Sequence, residues 1–116
     1  MTRIYQAKSL IAHQARLHWA HLCADKTICT SGAKELLVAA PHRVSLDLET
    51  EREERVPAYV EVFVDDKRVT EGEVGKARTF DLGTPSAGPH PIDVHVINPF
   101  TPQARERRLR IRSDVH

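Results

Sequence analysis

Near the amino terminus, four side chains of the types that hold transition metals lie close together in the sequence: His18, His21, Cys23 and Cys29. Imidazole nitrogen and thiolate sulfur are ligands that zinc and copper prefer. On a helix, His18 and His21 would lie one turn apart and could share a metal ion with a cysteine. The spacing matches no established zinc module, so the favoured interpretation is surface or half-buried histidines beside Trp19, and a zinc-binding protein is an alternative.

A second candidate is a row of arginines on the last predicted strand. Arg108, Arg110 and Arg112 recur at two-residue spacing, which places their side chains on one face of a strand. A guanidinium group can hold a phosphate or carboxylate group through two parallel hydrogen bonds. The favoured interpretation is internal pairing with acidic residues on facing strands. The acidic residues available for that pairing are Asp47, Glu49, Glu61 and Asp93.

Asp65 and Asp66 could supply carboxylate oxygens to a hard cation such as calcium. Aspartate also tolerates the backbone angles of a tight turn, so the turn is the favoured interpretation of this pair. The sequence contains no nucleophile elbow and no glycine-rich phosphate-binding loop. An enzyme is therefore less favoured than a binding module.

The elements that must position these residues are predicted to be strands, because polar and apolar residues alternate along several segments. The predicted strands are Val44–Glu49, Tyr59–Val64, Thr79–Leu82, Pro91–Ile97 and Arg108–Arg112, with a more ambiguous apolar run at Glu35–Ala40. Their apolar positions define one shared interior: Val44, Leu46, Leu48, Val60, Val62, Val64, Ile92, Val94, Val96, Leu109 and Ile111. Short strands bounded by Gly and Pro predict a mainly β fold, an antiparallel β-sandwich of jelly-roll or immunoglobulin-like type.

Ser9–Leu22 differs from the rest because it has no Gly or Pro and is rich in Ala, Leu, Gln and Arg. Ser9 is a plausible N-cap, so this segment predicts a short N-terminal helix. We therefore expect a single domain over residues 1–116, with a helical N-terminal segment over 1–32 and the β-sandwich over 33–116.

Composition limits the classes of partner. The formal net charge is +1, with 41% hydrophobic and 28% charged residues. This balance is typical of a soluble globular protein and favours neither a nucleic-acid nor a membrane partner. The opening residues lack the apolar stretch of a secretory signal, so a cytoplasmic location is the expectation. In that compartment the two cysteines are expected to be free thiols.

The carboxy-terminal half of the sequence resembles a known family. The residues that carry the resemblance are Val60–Asp66, Phe80–Leu82, Gly88–Val94, Asn98 and Glu106–Leu109. Over about residues 59–111 the chain resembles calcium-dependent carbohydrate-binding modules of the xylan-binding β-sandwich type. The resemblance implies that Asn98 and Glu106 help to hold a calcium ion that meets sugar hydroxyls. Where the family has an acidic residue after the asparagine, this sequence has Pro99, which would weaken calcium binding.

The leading hypothesis is a non-catalytic β-sandwich module that binds a polysaccharide through loops around Asp65, Asn98 and Glu106 at one end. An alternative is a structural or assembly protein that forms homo-oligomers or docks on a protein partner. Tyr59 and Phe63 favour that alternative, because both point away from the predicted core and would form an exposed aromatic patch.

Overall fold

The computed structural model describes residues 15–18, 35–52, 55–111 and 115–116. Within this part of the chain the regular structure consists of β-strands. They are β1 (Ala15–His18), β2 (Glu35–Val38), β3 (Ser45–Thr50), β4 (Ala58–Val64), β5 (Lys67–Val74), β6 (Ala77–Asp81), β7 (Gly88–Val96) and β8 (Leu109–Ile111). The prediction of a mainly β fold is confirmed.

The strands form two antiparallel sheets. The larger sheet has five strands in the order β1-β2-β7-β4-β5, and the smaller has three in the order β6-β3-β8. Strand β4 lies between β5 and β7, with Val60 opposite Val96 and Val62 opposite Val94. Since directly paired residues place their side chains on the same face, these valines form one continuous apolar surface.

The two sheets share one hydrophobic core. The smaller sheet contributes Leu46, Leu48 and Phe80, which are almost completely buried, and the valines of β4 and β7 come from the larger sheet. Fully burying a side chain of this size stabilises the fold by roughly 1.5–3 kcal/mol. Each position of the predicted interior for which burial is described is buried, from Val44 to Leu109.

A two-residue turn joins β4 to β5. Asp65 has φ 54° and Asp66 has φ 64°, so both residues adopt the left-handed conformation. Two consecutive left-handed residues form the hairpin turn whose twist matches that of the flanking strands. Aspartate is among the few non-glycine residues that visit this conformation routinely, which confirms the turn interpretation of the pair.

The predicted N-terminal helix is wrong at Ala15–His18, which form strand β1 and pair with β2. Ala15 and Leu17 alternate with the exposed Arg16, so both apolar side chains enter the core when the backbone is extended. Core packing and the free edge of β2 outweigh the weak helical propensity of the segment. The other residues of that helix lie outside the described ranges, so the division of the chain at residue 32 stays a prediction. In the described part of the chain, no helix has the length and apolar character needed to span a membrane.

Candidate functional site

Asp65 and Asn98 lie at opposite ends of β4. Asp65 follows the last residue of the strand, whereas the Asn98 side chain binds the backbone of Tyr59 near its beginning. At about 3.3 Å per residue, the two positions are about 20 Å apart along the strand. The expectation that Asp65 joins Asn98 and Glu106 at one end is therefore wrong, because β4 separates them. Asn98 and Glu106 do share an end, since both belong to the segment between β7 and β8.

We call this segment, residues 98–108, the 98–108 loop. Asn98 anchors the loop to the start of β4 by two hydrogen bonds. Its side-chain Oδ1 accepts from the Tyr59 backbone N–H at 2.7 Å, and its Nδ2 donates to the Pro57 carbonyl at 3.0 Å. The amide is thus used on both sides by the backbone, which fixes where the loop leaves the sheet.

The interior of the 98–108 loop is itself hydrogen bonded. Phe100 and Glu106 form an antiparallel bridge, and the Thr101 N–H donates to the Arg105 carbonyl at 2.7 Å. Thr101 is buried, and its hydroxyl oxygen accepts from the Arg105 N–H at 3.1 Å. The loop turns at Ala104, which has φ 59°. The bridge places the Phe100 ring, 58% exposed, on the same side as Glu106.

Arg107 is the buried arginine of this loop, with 4% of its surface exposed. Its backbone N–H donates to the Pro99 carbonyl at 2.8 Å, and its Nη1 donates to the Val56 carbonyl at 2.6 Å. Its Nε is buried and has no hydrogen-bond partner. An unpaired buried donor on a charged group lowers the stability of the folded state. This atom therefore marks a place where the fold does not satisfy its own hydrogen-bonding groups.

Beside Arg107 lies a cavity of about 270 Å³ at the amino-terminal end of β4. The described residues of its lining include four arginines and two glutamates, so this described part of the lining carries an excess of positive charge. The described residues of the lining are Thr50, Glu51, Arg52, Ala58, Arg105, Glu106, Arg107, Arg108 and Leu109. Most of these side chains are polar, and Ala58 and Leu109 form the apolar floor where the cavity meets the core.

The predicted arginine row contributes to the rim of this cavity. Arg108 pairs with Glu106 at 3.6 Å, and Arg110 pairs with Glu51 at 3.8 Å. Internal pairing, the favoured interpretation, is observed: the expected partner Glu49 lies directly opposite Arg110 in the β3–β8 register, and the ion pairs themselves are made with Glu51 and Glu106. Strand alternation does not predict Glu51 and Glu106 as partners, because Glu51 lies beyond the end of β3 and Glu106 lies in the 98–108 loop. Arg112 falls outside the described residues, and a ligand-binding role for Arg108 and Arg110 stays a prediction.

The residues present do not fit the calcium site that the resemblance implies. The Asn98 oxygen already accepts a backbone hydrogen bond, Pro99 offers no side-chain donor atom, and Glu106 pairs with Arg108. Across the described ranges, no group of three or more His, Cys, Asp or Glu residues could hold a metal ion. Calcium affinity follows the number of carboxylate ligands, so the described residues at this end of the sandwich do not supply the donors that calcium requires.

The proposed zinc ligands are only partly described. His18 lies in strand β1, so the one-turn helical spacing to His21 does not apply to it. His21, Cys23 and Cys29 fall outside the described residues, and the metal-binding role of the four residues stays a prediction.

At the carboxyl end of β4, Asp65, His90 and Ser86 form a different cluster. The His90 Nδ1 donates to Asp65 Oδ2 at 2.8 Å, and its Nε2 donates to the Ser86 carbonyl at 2.7 Å. These two hydrogen bonds, first that to Ser86 and then that to Asp65, raise the pKa of His90 above 6.5. The Ser86 hydroxyl lies 3.4 Å from Nε2, but a nitrogen that donates to a carbonyl has no lone pair to accept the hydroxyl proton. Through these contacts His90 links the β4–β5 turn at Asp65 to the loop at Ser86.

The sequence contained an overlooked signal for both His90 and Arg107. In β7, His90 lies an even number of residues from the buried Ile92 and Val94, so its side chain is on the same face as theirs. Arg107 likewise lies two residues before the buried Leu109. A polar residue on the core-facing parity of a strand must find partners inside the protein. Both positions were therefore candidates for a buried polar site.

Tyr59 and Phe63 are half-buried on the outer face of the larger sheet. The Phe63 ring packs against His95 with ring centroids 5.3 Å apart. Neighbouring side chains of the same sheet therefore cover part of the aromatic surface that favoured an assembly protein. Oligomer formation stays a prediction.

Comparison with known proteins gives similarity of structure without similarity of sequence. No family profile and no curated protein matches this sequence. A family 35 carbohydrate-binding module from an environmental isolate superposes with a TM-score of 0.53 at 12% identity, over 84% of this chain and 80% of that chain.

Two esterase structures also superpose on this chain. An acetyl xylan esterase from the rumen bacterium Butyrivibrio proteoclasticus gives a TM-score of 0.54 at 10% identity, over 89% of this chain and 28% of that chain. A family two carbohydrate esterase from Clostridium thermocellum in complex with cellohexaose gives 0.49 at 10% identity, over 74% of this chain and 23% of that chain. The chain thus spans about a quarter of each esterase. At such identities, the likeness to the carbohydrate-binding module and to the acetyl xylan esterase shows the fold, and a fold does not by itself fix a function.

Proposed function

We propose that this chain is a non-catalytic carbohydrate-binding module whose ligand binds at the cavity beside the 98–108 loop. The observation that carries the proposal is the combination of that cavity with a fold shared over four-fifths of a carbohydrate-binding module. The superposition covers 84% of this chain and 80% of the module, so the likeness extends over most of both chains.

The chemistry of the cavity end supports the proposal. Phe100 offers an exposed aromatic ring, which can stack on the apolar C–H face of a sugar ring. Val56 and Ile97, also exposed, precede β4 and follow β7 at the same end. The charged side chains of the cavity rim can donate to and accept from sugar hydroxyls. A concave site with a few polar groups beside apolar surface is the usual form of a small-molecule site.

The non-catalytic part of the proposal is supported by the state of His90. The His90 cluster contains the three kinds of group of a nucleophilic triad, but the protonated His90 donates from both ring nitrogens, to Asp65 and to the Ser86 carbonyl. General-base catalysis needs an imidazole nitrogen with a free lone pair. The cluster therefore favours a structural role.

Isothermal titration calorimetry with a panel of xylan and glucan oligosaccharides tests the proposal. We expect saturable heat with at least one oligosaccharide, equal in calcium and in EDTA because the donor set does not suit calcium. Phe100→Ala should weaken binding about tenfold, equivalent to ~1.4 kcal/mol. Val69→Ala, which alters an exposed apolar residue on β5, is the matched control and should bind like the wild type. A flat trace with every oligosaccharide, or equal loss in both variants, would remove the proposal.

A further inference from the structure

The environment of Arg107 differs from that of a buried arginine with complete partners. Buried charges in proteins are normally paired with an opposite charge or fully hydrogen bonded. The Arg107 side chain makes one hydrogen bond, from Nη1 to the neutral Val56 carbonyl, and its Nε has none. Within the described part of the chain, no carboxylate forms an ion pair with Arg107. Among the described residues, the buried Arg107 guanidinium, in a residue only 4% exposed, thus has no counter-charge.

The glutamates of the cavity do not supply that counter-charge. Glu106 and Glu51 pair with Arg108 and Arg110, whereas Arg52 and Arg105 add further positive charge to the lining. The Nε and the adjacent Nη of a guanidinium group form a planar fork that matches the two oxygens of a carboxylate, sulfate or phosphate group. In Arg107 the Nε arm of that fork has no hydrogen-bond partner.

The cavity has room for such a group. Its volume is about 270 Å³, whereas one water in the liquid takes up ~30 Å³. The Nε is covered by its surroundings, so the ligand must displace side chains at the rim to reach it. Arg105 and Glu106 are exposed, so their side chains can move aside without disturbing the core.

From this geometry we propose that the cavity binds an oxyanion, a carboxylate, sulfate or phosphate group, and that the Arg107 guanidinium is its central donor. The inference goes beyond the proposed function, because an oxyanion can bind here whether or not a sugar carries it. Arg52 and Arg105 on the rim would add electrostatic attraction, so affinity falls as ionic strength rises.

The direct test is a nuclear magnetic resonance titration of the wild-type chain with sodium sulfate, sodium phosphate and sodium acetate, at ionic strength held constant with sodium chloride. We expect the Arg107 Nε–H resonance, assigned by through-bond connectivity, to shift saturably with at least one anion. The backbone resonances of Glu106 and Arg108 should shift with it, and that of Val69 should not. Shifts that do not saturate, or that are equal at the paired surface arginine Arg68, would overturn the inference.

Arg107→Lys sharpens the test because lysine keeps the charge but lacks the planar fork. We expect it to weaken binding of the anion about tenfold, the loss of a charge-assisted hydrogen bond. Arg68→Lys, at a residue paired with Glu61 and Glu71, is the matched control and should bind the anion like the wild type. Equal affinities of wild type and Arg107→Lys would overturn the inference. Circular dichroism establishes that each variant is folded, and if Arg107→Lys does not fold, the wild-type titration decides.

Two further titrations distinguish the oxyanion site from the proposed carbohydrate function. The same resonances are followed with neutral xylose oligomers and with oligomers that carry a carboxylate or sulfate group. Saturable shifts at Arg107 with the charged oligomers or the free anions support the oxyanion site. Binding of neutral oligomers without any anion effect overturns the oxyanion site and leaves the carbohydrate proposal intact. Binding of free anions with no binding of any oligomer supports the oxyanion site and overturns the carbohydrate proposal.

Discussion

Each end of strand β4 has a buried side chain with an ionisable nitrogen group, His90 at one end and Arg107 at the other, but the two differ in their hydrogen-bond partners. At the carboxyl end, His90 has a partner on each ring nitrogen. At the amino end, Arg107 has one carbonyl partner and an unpaired Nε. The same sandwich can therefore satisfy a buried polar group by itself at one end and leave it incomplete at the other. The cavity of about 270 Å³ lies at the incomplete end, and this coincidence locates the candidate site.

The largest expected effect is the loss of the amide that anchors the amino end. Asn98→Ala leaves the Tyr59 N–H and the Pro57 carbonyl without their side-chain partner. We expect the free energy of unfolding to fall by about 2 kcal/mol, measured by urea denaturation. Asn98→Asp is the control, because its carboxylate can still accept from Tyr59 but cannot donate to Pro57. A loss in Asn98→Asp as large as that in Asn98→Ala would contradict the assignment of both bonds.

The carboxyl end should show a pH dependence. Because the pKa of His90 is raised in the folded state, its stabilising contribution is complete below the unfolded value of 6.5 and is lost as pH rises through the folded pKa. The wild type should therefore be less stable at pH 9 than at pH 6. Asp65→Asn retains the turn, since asparagine tolerates the left-handed backbone, but removes the charge that faces His90.

At pH 6 we expect Asp65→Asn to reduce the free energy of unfolding by about 1 kcal/mol, a value kept small because the Asp65 side chain is 52% exposed. The difference from the wild type should narrow at pH 9, and urea denaturation at both pH values measures it. An equal loss at pH 6 and pH 9 would show that His90 charge plays no part in its contact with Asp65.

A smaller gain is expected from the left-handed residue of the 98–108 loop. Ala104 has φ 59°, which is strained for a residue with a Cβ atom. Ala104→Gly relieves that strain but increases the freedom of the unfolded chain, so we expect stabilisation of roughly 0.5 kcal/mol. The midpoint of thermal unfolding measures the change. Destabilisation would mean that the loop does not turn at this residue.

The smallest effect should come from the corresponding change at the other end. Asp66 also has a positive φ, of 64°, but aspartate tolerates this conformation better than alanine does. Asp66→Gly should therefore change the free energy of unfolding by about 0.3 kcal/mol or less. A gain in the free energy of unfolding larger than that of Ala104→Gly would mean that the turn at Asp66 is more strained than the turn at Ala104.

The sequence predicted the strands of the core well because alternation is a local property. Val60, Val62, Val94 and Leu46 occupy predicted core positions, and the two aspartates form the predicted turn. Strand β1 was missed because its extended form depends on pairing with β2, a contact that local propensity does not contain.

The candidate site was less predictable for the same physical reason. Asn98 and Asp65 each follow an alternating strand, but they lie at opposite ends of β4 and are separated by its length. The roles of Arg107 and His90 depend on partners distant in sequence, Val56 for Arg107 and Asp65 for His90. Parity along the strand predicts that such residues point inward, and only the packed structure shows whether they find partners.

Strand β1 forms one edge of the larger sheet and pairs with β2. It covers the edge of β2, whose backbone N–H and C=O groups and buried Leu36 and Val38 would otherwise offer a template for another chain. With four residues and the exposed Arg16, β1 is itself too short and too charged to be a good template. We therefore expect a shortened form that begins after residue 18 to expose the backbone edge of β2 and to aggregate more readily than the full chain. On this expectation, the four residues of β1 contribute to solubility as well as to the sheet.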